Sequence, residues 1–219
     1  MARNLATLAR CVSRCQIKQA DALLGGRNFD EEACEQGNGS PLSCRAAFDR
    51  ASAKLLGART PTCPLCLDTA AQSHLADLVM SFFDQNNGLI YCAGSSSFGG
   101  DDTGFVPPNR VTASCEDAVA TSAATLMACA GRCQIKQADS ALQRRTFNED
   151  ACEEGTGRPT SCRAIYDRTT MRLLDQASPI CPLCLNAIAQ TNLANLVVDF
   201  IDQYNGLIYC AGTLPLPSP

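Results

Sequence analysis

Cys15-Gln16-Ile17-Lys18-Gln19-Ala20-Asp21 returns unchanged as Cys133-Gln134-Ile135-Lys136-Gln137-Ala138-Asp139, and this repetition decides how the chain is read. Working outward, Cys63-Pro64-Leu65-Cys66-Leu67 returns at Cys181 to Leu185. Asn87-Gly88-Leu89-Ile90-Tyr91-Cys92-Ala93-Gly94 returns at Asn205 to Gly212. Cysteines 11, 15, 34, 44, 63, 66 and 92 recur at 129, 133, 152, 162, 181, 184 and 210, each shifted by 118 positions, as from Cys11 to Cys129. That period is far too long for a solenoid unit and suits a small domain. The expected organisation is repeat one at 1–94, a Gly/Ser/Pro linker at 95–110, repeat two at 111–212 and a Pro-rich tail at 213–219.

Within a repeat the apolar spacing is helical. Leu75, Leu78, Val79, Phe82 and Phe83 fall on one helix face, and Leu193, Leu196, Val197, Phe200 and Ile201 copy them. This helix is expected to stop at Asn87-Gly88 and Asn205-Gly206 with a left-handed glycine cap. Further helices are expected at 45–56 and 163–174, with Leu55-Leu56 and Leu173-Leu174 inward. Another is expected over the Ala-rich run 116–142 and its counterpart 1–24. Pro64 and Pro182 suit a helix start. Alternating strand patterns are scarce, so the fold class is mostly α: two tandem disulfide-rich domains of about four helices each, with helical hairpins stapled by disulfides.

Fifteen cysteines in 219 residues point to an oxidising compartment, and each bridge contributes roughly 2–4 kcal/mol in a small domain. A zinc site is not expected. The one histidine, His74, is replaced by Asn192 in the second copy, and each unit has a single C-x2-C beside a C-x3-C. No metal or cofactor is expected.

Cys11/Cys15 and Cys63/Cys66 are spaced to share helix faces, so antiparallel staples Cys11–Cys66 and Cys15–Cys63 are expected, with Cys129–Cys184 and Cys133–Cys181 as their copies. Elimination then leaves Cys34–Cys44, Cys152–Cys162 and Cys115–Cys210, one of the 105 connectivities open to eight cysteines. The counterpart of Cys115 would fall just before Met1, so the first copy is expected to start short of its leading cysteine, leaving Cys92 free or mispaired. Met1-Ala-Arg-Asn is not a secretory leader.

Composition excludes several functions. Net charge is −4 with no basic run, which offers no footprint for nucleic acid, and no stretch reaches transmembrane length. No repeated histidine, nucleophile elbow or phosphate loop is present, so no enzyme activity is expected. Cys-Pro-Leu-Cys resembles a thiol–disulfide motif, but without the strand–helix context it reads as structural. Asp49/Asp84 and Asp167/Asp202 read as helix-surface charges or caps rather than a catalytic acid pair. The candidate ligand-binding residues are aromatic: Phe48 and Tyr166 between arginines and aspartates, Tyr204, and Tyr91 and Tyr209 beside the last cysteine. Exposed rings with hydrogen-bonding rims suit sugar stacking.

Two tandem eight-cysteine domains of this size resemble the Leo-type lectins of amoebal cyst walls. The resemblance runs from the Cys11–Cys92 unit through the Cys115–Cys210 unit. It implies a non-catalytic, secreted wall or matrix protein that binds an insoluble polysaccharide, cellulose or chitin, through those aromatics. A second resemblance runs to saposin-like domains, in which a C-x2-C opens an amphipathic helix that ends near a lone cysteine. It implies lipid or membrane binding. A purely structural matrix protein is the third reading.

Overall fold

The computed structural model describes residues 1–37, 40–58, 63–155, 159–176 and 181–211. The first repeat contains α1 (Ala2–Leu24), α2 (Glu31–Glu35), α3 (Cys44–Leu56) and α4 (Thr69–Asn86). A hairpin of β1 (Ser97–Gly99) and β2 (Asp102–Phe105) follows. The second repeat contains α5 (Arg110–Leu142), α6 (Glu149–Glu153), α7 (Cys162–Asp175) and α8 (Ala187–Ile208). The mostly α, disulfide-rich class read from the sequence is therefore found.

Local chemistry starts these helices at matching places. Ser43 and Ser161 cap α3 and α7 by accepting from Ala46 N and Ala164 N. Asp68 and Asn186 do the same for α4 and α8, and Asp30 and Asn148 for α2 and α6. An N-cap side chain of this kind contributes about 1 kcal/mol, and Asp and Asn serve equally, so the swaps leave the fold intact. The helix ends differ from expectation. A 3-10 turn at Asn87–Leu89 follows α4, whereas α8 runs on to Ile208, and neither Gly88 nor Gly206 has a positive φ. At Gly88 the backbone instead makes a close approach, since a Cβ there would sit 3.0 Å from Gly104 N. Pro64 and Pro182 precede short 3-10 turns (Leu65–Leu67 and Leu183–Leu185) rather than opening the long helices. Leu56 is exposed rather than inward.

The residues expected to form a linker fold back on the first repeat. Phe98 packs edge-on against Tyr91 with centroids 5.3 Å apart, and Phe105 N donates to Tyr91 O. Gly99 and Gly100 turn the hairpin with positive φ, where side-chain-bearing residues are disfavoured.

The two repeats share one apolar core and are covalently interlocked. Cys66 bonds Cys210 and Cys92 bonds Cys184. These bridges map onto one another when each residue is exchanged for its copy 118 positions away. Phe82 meets its own copy Phe200 at 4.5 Å between centroids, as residues on a pseudo-two-fold axis do. Within the repeats, Cys11–Cys44 and Cys15–Cys34 are copied as Cys129–Cys162 and Cys133–Cys152. Cys115 bonds Cys181, and Cys63 is the free thiol.

This corrects every expected bridge: Cys11–Cys66, Cys15–Cys63, Cys34–Cys44, Cys129–Cys184, Cys133–Cys181, Cys152–Cys162 and Cys115–Cys210. Cys11 and Cys15 do share a helix face, but α2 and α3 cover that face. The cysteines of Cys-Pro-Leu-Cys lie before α4 and α8 and so do not form an α-helical i, i+3 pair. One cysteine is indeed left over. It is Cys63, the copy of Cys181, and not Cys92.

Candidate functional site

Where α1 and α4 of the first repeat meet α5 and α8 of the second, packing is incomplete. A narrow, mostly apolar cleft there is lined by Leu5, Leu75, Leu78, Val79, Met127, Phe200, Ile201, Tyr204 and Ile208, together with Ala2, Ala6 and Gly131. Departures between the copies open it: Gly131 stands where the first repeat has Ser13, and Ile201 where it has Phe83. A Cβ added at Gly131 would meet nothing within 4 Å. The polar members are Gln134, Asn205 and the Tyr204 hydroxyl.

A second, more open cleft of about 220 Å³ adjoins the first and shares Ala2, Ala6 and Gly131 with it. Arg3, Arg10 and Arg132 line this one, together with Thr7 and Ile135. None of these arginines has a carboxylate partner among the described residues, where the ion pairs are Arg45 with Asp49 and Asp77, and Arg163 with Asp167. An apolar slot therefore opens beside three unneutralised guanidinium groups, on a chain whose net charge is −4.

The aromatics singled out from the sequence do not gather on a surface. Tyr91 is fully buried, and its hydroxyl donates to Asp117 Oδ1 at 2.7 Å. Burial, then the Asp117 charge, raises its pKa well above the usual tyrosine range. Tyr166 is buried with its hydroxyl donating to Gln190 O at 3.3 Å, and Phe48 is buried as well. These three are core residues and have no face to offer a sugar ring. Only Tyr204 and Tyr209 remain half-exposed, and Tyr204 lies in the apolar cleft with its ring 4.9 Å from Phe200.

The remaining motifs resolve in the same way. Neither Cys-Pro-Leu-Cys closes on itself, because Cys66, Cys181 and Cys184 are bonded elsewhere. The sulfurs of Cys11, Cys15 and Cys44 lie together, but all three are in disulfides and hold no thiolate for a metal. Asp49 pairs with Arg45, while Asp84 lies in a buried acidic cluster with Glu31 and Glu35. Asp202 sits in the copied cluster with Glu149 and Glu153.

In these clusters burial, then the neighbouring acids, pushes Glu35 up to about 12, Asp84 to about 8, Glu153 to about 10 and Asp202 to about 6. Asp84 and Asp202, expected as helix-surface charges or caps, are thus members of these clusters. The available signal was Glu-x3-Glu occurring in both copies. Comparison with protein-family models, with curated proteins and with solved structures returned no match.

Proposed function

We propose that this is a non-catalytic, secreted binding protein for an anionic amphiphile such as a fatty acid, held by its alkyl chain in the cleft between the repeats. One observation carries the reading: the apolar slot and the arginine-lined slot share a wall at Ala2, Ala6 and Gly131. An alkyl chain gains about 0.8 kcal/mol per buried CH₂, and a carboxylate or phosphate head gains charge-assisted hydrogen bonds from Arg3, Arg10 or Arg132. The seven disulfides fit an oxidising, extracellular setting. No helix among the described residues is long and apolar enough to cross a membrane.

The test is displacement of a fluorescent fatty-acid analogue by palmitate, repeated with the uncharged methyl ester. Palmitate is expected to displace the probe and the ester to do so at least about tenfold less well, a loss of about 1.4 kcal/mol. Gly131→Leu, which fills open space, is expected to abolish binding while leaving the helical circular dichroism unchanged. Probe binding that survives Gly131→Leu refutes the cleft.

Polysaccharide binding is the second reading, now supported only by the half-exposed rings of Tyr204 and Tyr209. It predicts that the oxidised protein pellets with cellulose or chitin and that Tyr204→Ala with Tyr209→Ala releases it.

A further inference from the structure

Each half of the molecule gathers the same three acids, two of them buried, with no cation to answer them. One oxygen each of Glu31, Glu35 and Asp84 lie within 4.8 Å of one another, as do those of Glu149, Glu153 and Asp202. Glu31, Glu35, Glu149 and Glu153 are all at least nine-tenths buried. Burying carboxylates is costly unless they are paired or coordinate a metal. No lysine or arginine forms an ion pair with any of them among the described residues. We propose that the protein binds two hard divalent cations of the calcium type, one among Glu31, Glu35 and Asp84 and one among Glu149, Glu153 and Asp202, the first being the tighter.

The dimensions agree with one ion per cluster. Calcium–oxygen distances of about 2.3–2.6 Å place oxygens on opposite sides of an ion about 4.6–5.2 Å apart. Buried amide oxygens supply the observation independent of the acids. Asn87 is 1% exposed and points its amide at Asp102, 3.5 Å from Nδ2 to Oδ1, yet its Oδ1 has no partner. Gln19 is 7% exposed and leaves its Oε1 unpartnered. Amide oxygens are ordinary calcium ligands.

The second half also sets amides against its acids, with different partners. Asn205 donates to Gln134 Oε1 and keeps an unpartnered Oδ1. The Gln134 amide nitrogen, with two hydrogens, faces three carboxylate oxygens, of Glu149 at 2.6 Å, Asp202 at 2.9 Å and Glu153 at 3.2 Å. Two donors cannot serve three acceptors, whereas a cation at their centre serves all three, and rotating the amide adds its oxygen. The six residues Gln16, Gln19, Glu31, Glu35, Asp84 and Asn87 are identical in both copies. The flanking Asp30, Glu32 and Gln36 have become Asn148, Asp150 and Glu154. Half-buried Asp84 and exposed Asp202 leave each cluster reachable from solvent.

The hairpin makes the sites unequal. Asp101 and Glu32 each bring an oxygen within 4.8 Å of a Glu31 oxygen, and Asp102 accepts from Asn87 Nδ2 at 3.5 Å. The second half has no such hairpin among its described residues. Calcium affinity rises with the number of charged ligands, so the first site binds more tightly.

The test is calorimetric titration of the chelator-treated, full-length chain with calcium chloride, in parallel with thermal melting. Two saturable events separated by about tenfold or more in affinity are expected, with a rise in Tm. Asp102→Asn is expected to weaken only the tighter event, by roughly tenfold, and Glu153→Gln to remove only the weaker one. Asp202→Asn replaces Glu153→Gln should that variant not fold. The proposal is overturned if folded protein shows no heat and no Tm rise at millimolar calcium, the acids then being stable as protonated pairs alone. It is also overturned if calcium binds but neither variant alters it, which would mean adventitious binding to exposed acids.

Discussion

Replacing Cys66 and Cys210 by serine isolates what the cross-repeat bridges contribute. In the chain-entropy description, a bridge restricts the unfolded chain according to the loop it closes. Cys66 and Cys210 are 144 residues apart, which by itself corresponds to about 5 kcal/mol. The unfolded chain is already short-circuited by Cys92–Cys184, however. The loop that opens runs from Cys66 to Cys92 and from Cys184 to Cys210, 26 residues each, an effective loop of about 52 residues. The expected loss is therefore about 4 kcal/mol, which at roughly 2–4 °C per kcal/mol in a chain of this size lowers Tm by roughly 8–16 °C.

Scanning calorimetry measures the loss, and a cleavage experiment checks its cause. A protease site placed between Gly99 and Gly100, at the hairpin turn, cuts the chain between the repeats. The wild-type arrangement should still run as one full-length band without reductant and as two bands with it. The double serine variant should also stay joined, through Cys92–Cys184. Two bands from the oxidised, cut wild type would refute the interlocked arrangement. A Tm loss under about 2 °C would refute the energetic reasoning.

Other consequences follow from single side chains. One thiol per chain should react with Ellman's reagent, and Cys63→Ser should remove it without lowering Tm, since Cys63 makes no bridge. Glu116 is fully buried, and burial outweighs the hydrogen bonds it accepts from Cys92 N and Ala93 N, so its pKa rises from 4.5 to about 7. Such an acid holds its proton more tightly when folded. Its contribution is present below pH 4.5 and lost as pH climbs to about 7, by at most about 3 kcal/mol. Glu116→Gln should flatten that slope in urea unfolding followed across pH, and an unchanged slope would exonerate Glu116. Tyr91→Phe removes the hydroxyl that donates to Asp117 and should cost about 1–3 kcal/mol in the same assay. Gly131→Ala should raise stability by about 0.5–1 kcal/mol, because the methyl meets open space on an α-helix.

Local sequence carried the duplication and the positions of the long helices, though not their ends. These rest on contacts within a few residues: Ser43 bonding Ala46 N, Asp68 bonding Ala71 N, and apolar spacing along α4. It also determined that one cysteine would be left over, which is a matter of counting. Tertiary structure alone decided the pairing. Two similar units offer each cysteine a partner in its own copy and an equivalent one in the other, and no local signal distinguishes Cys66–Cys92 from Cys66–Cys210.

Burial was decided in the same way. Tyr91 reads as an aromatic beyond a helix end, yet the hairpin and the start of α5 enclose it. Asp84 reads as a helix-surface charge until α2 brings Glu31 and Glu35 against it. The apolar cleft exists only because four helices from two repeats meet there, with Gly131 and Ile201 too small to fill the gap. Side chains distant in sequence acquire a shared environment only when the faces that carry them pack together, and periodicity along one element carries no record of which face it will meet.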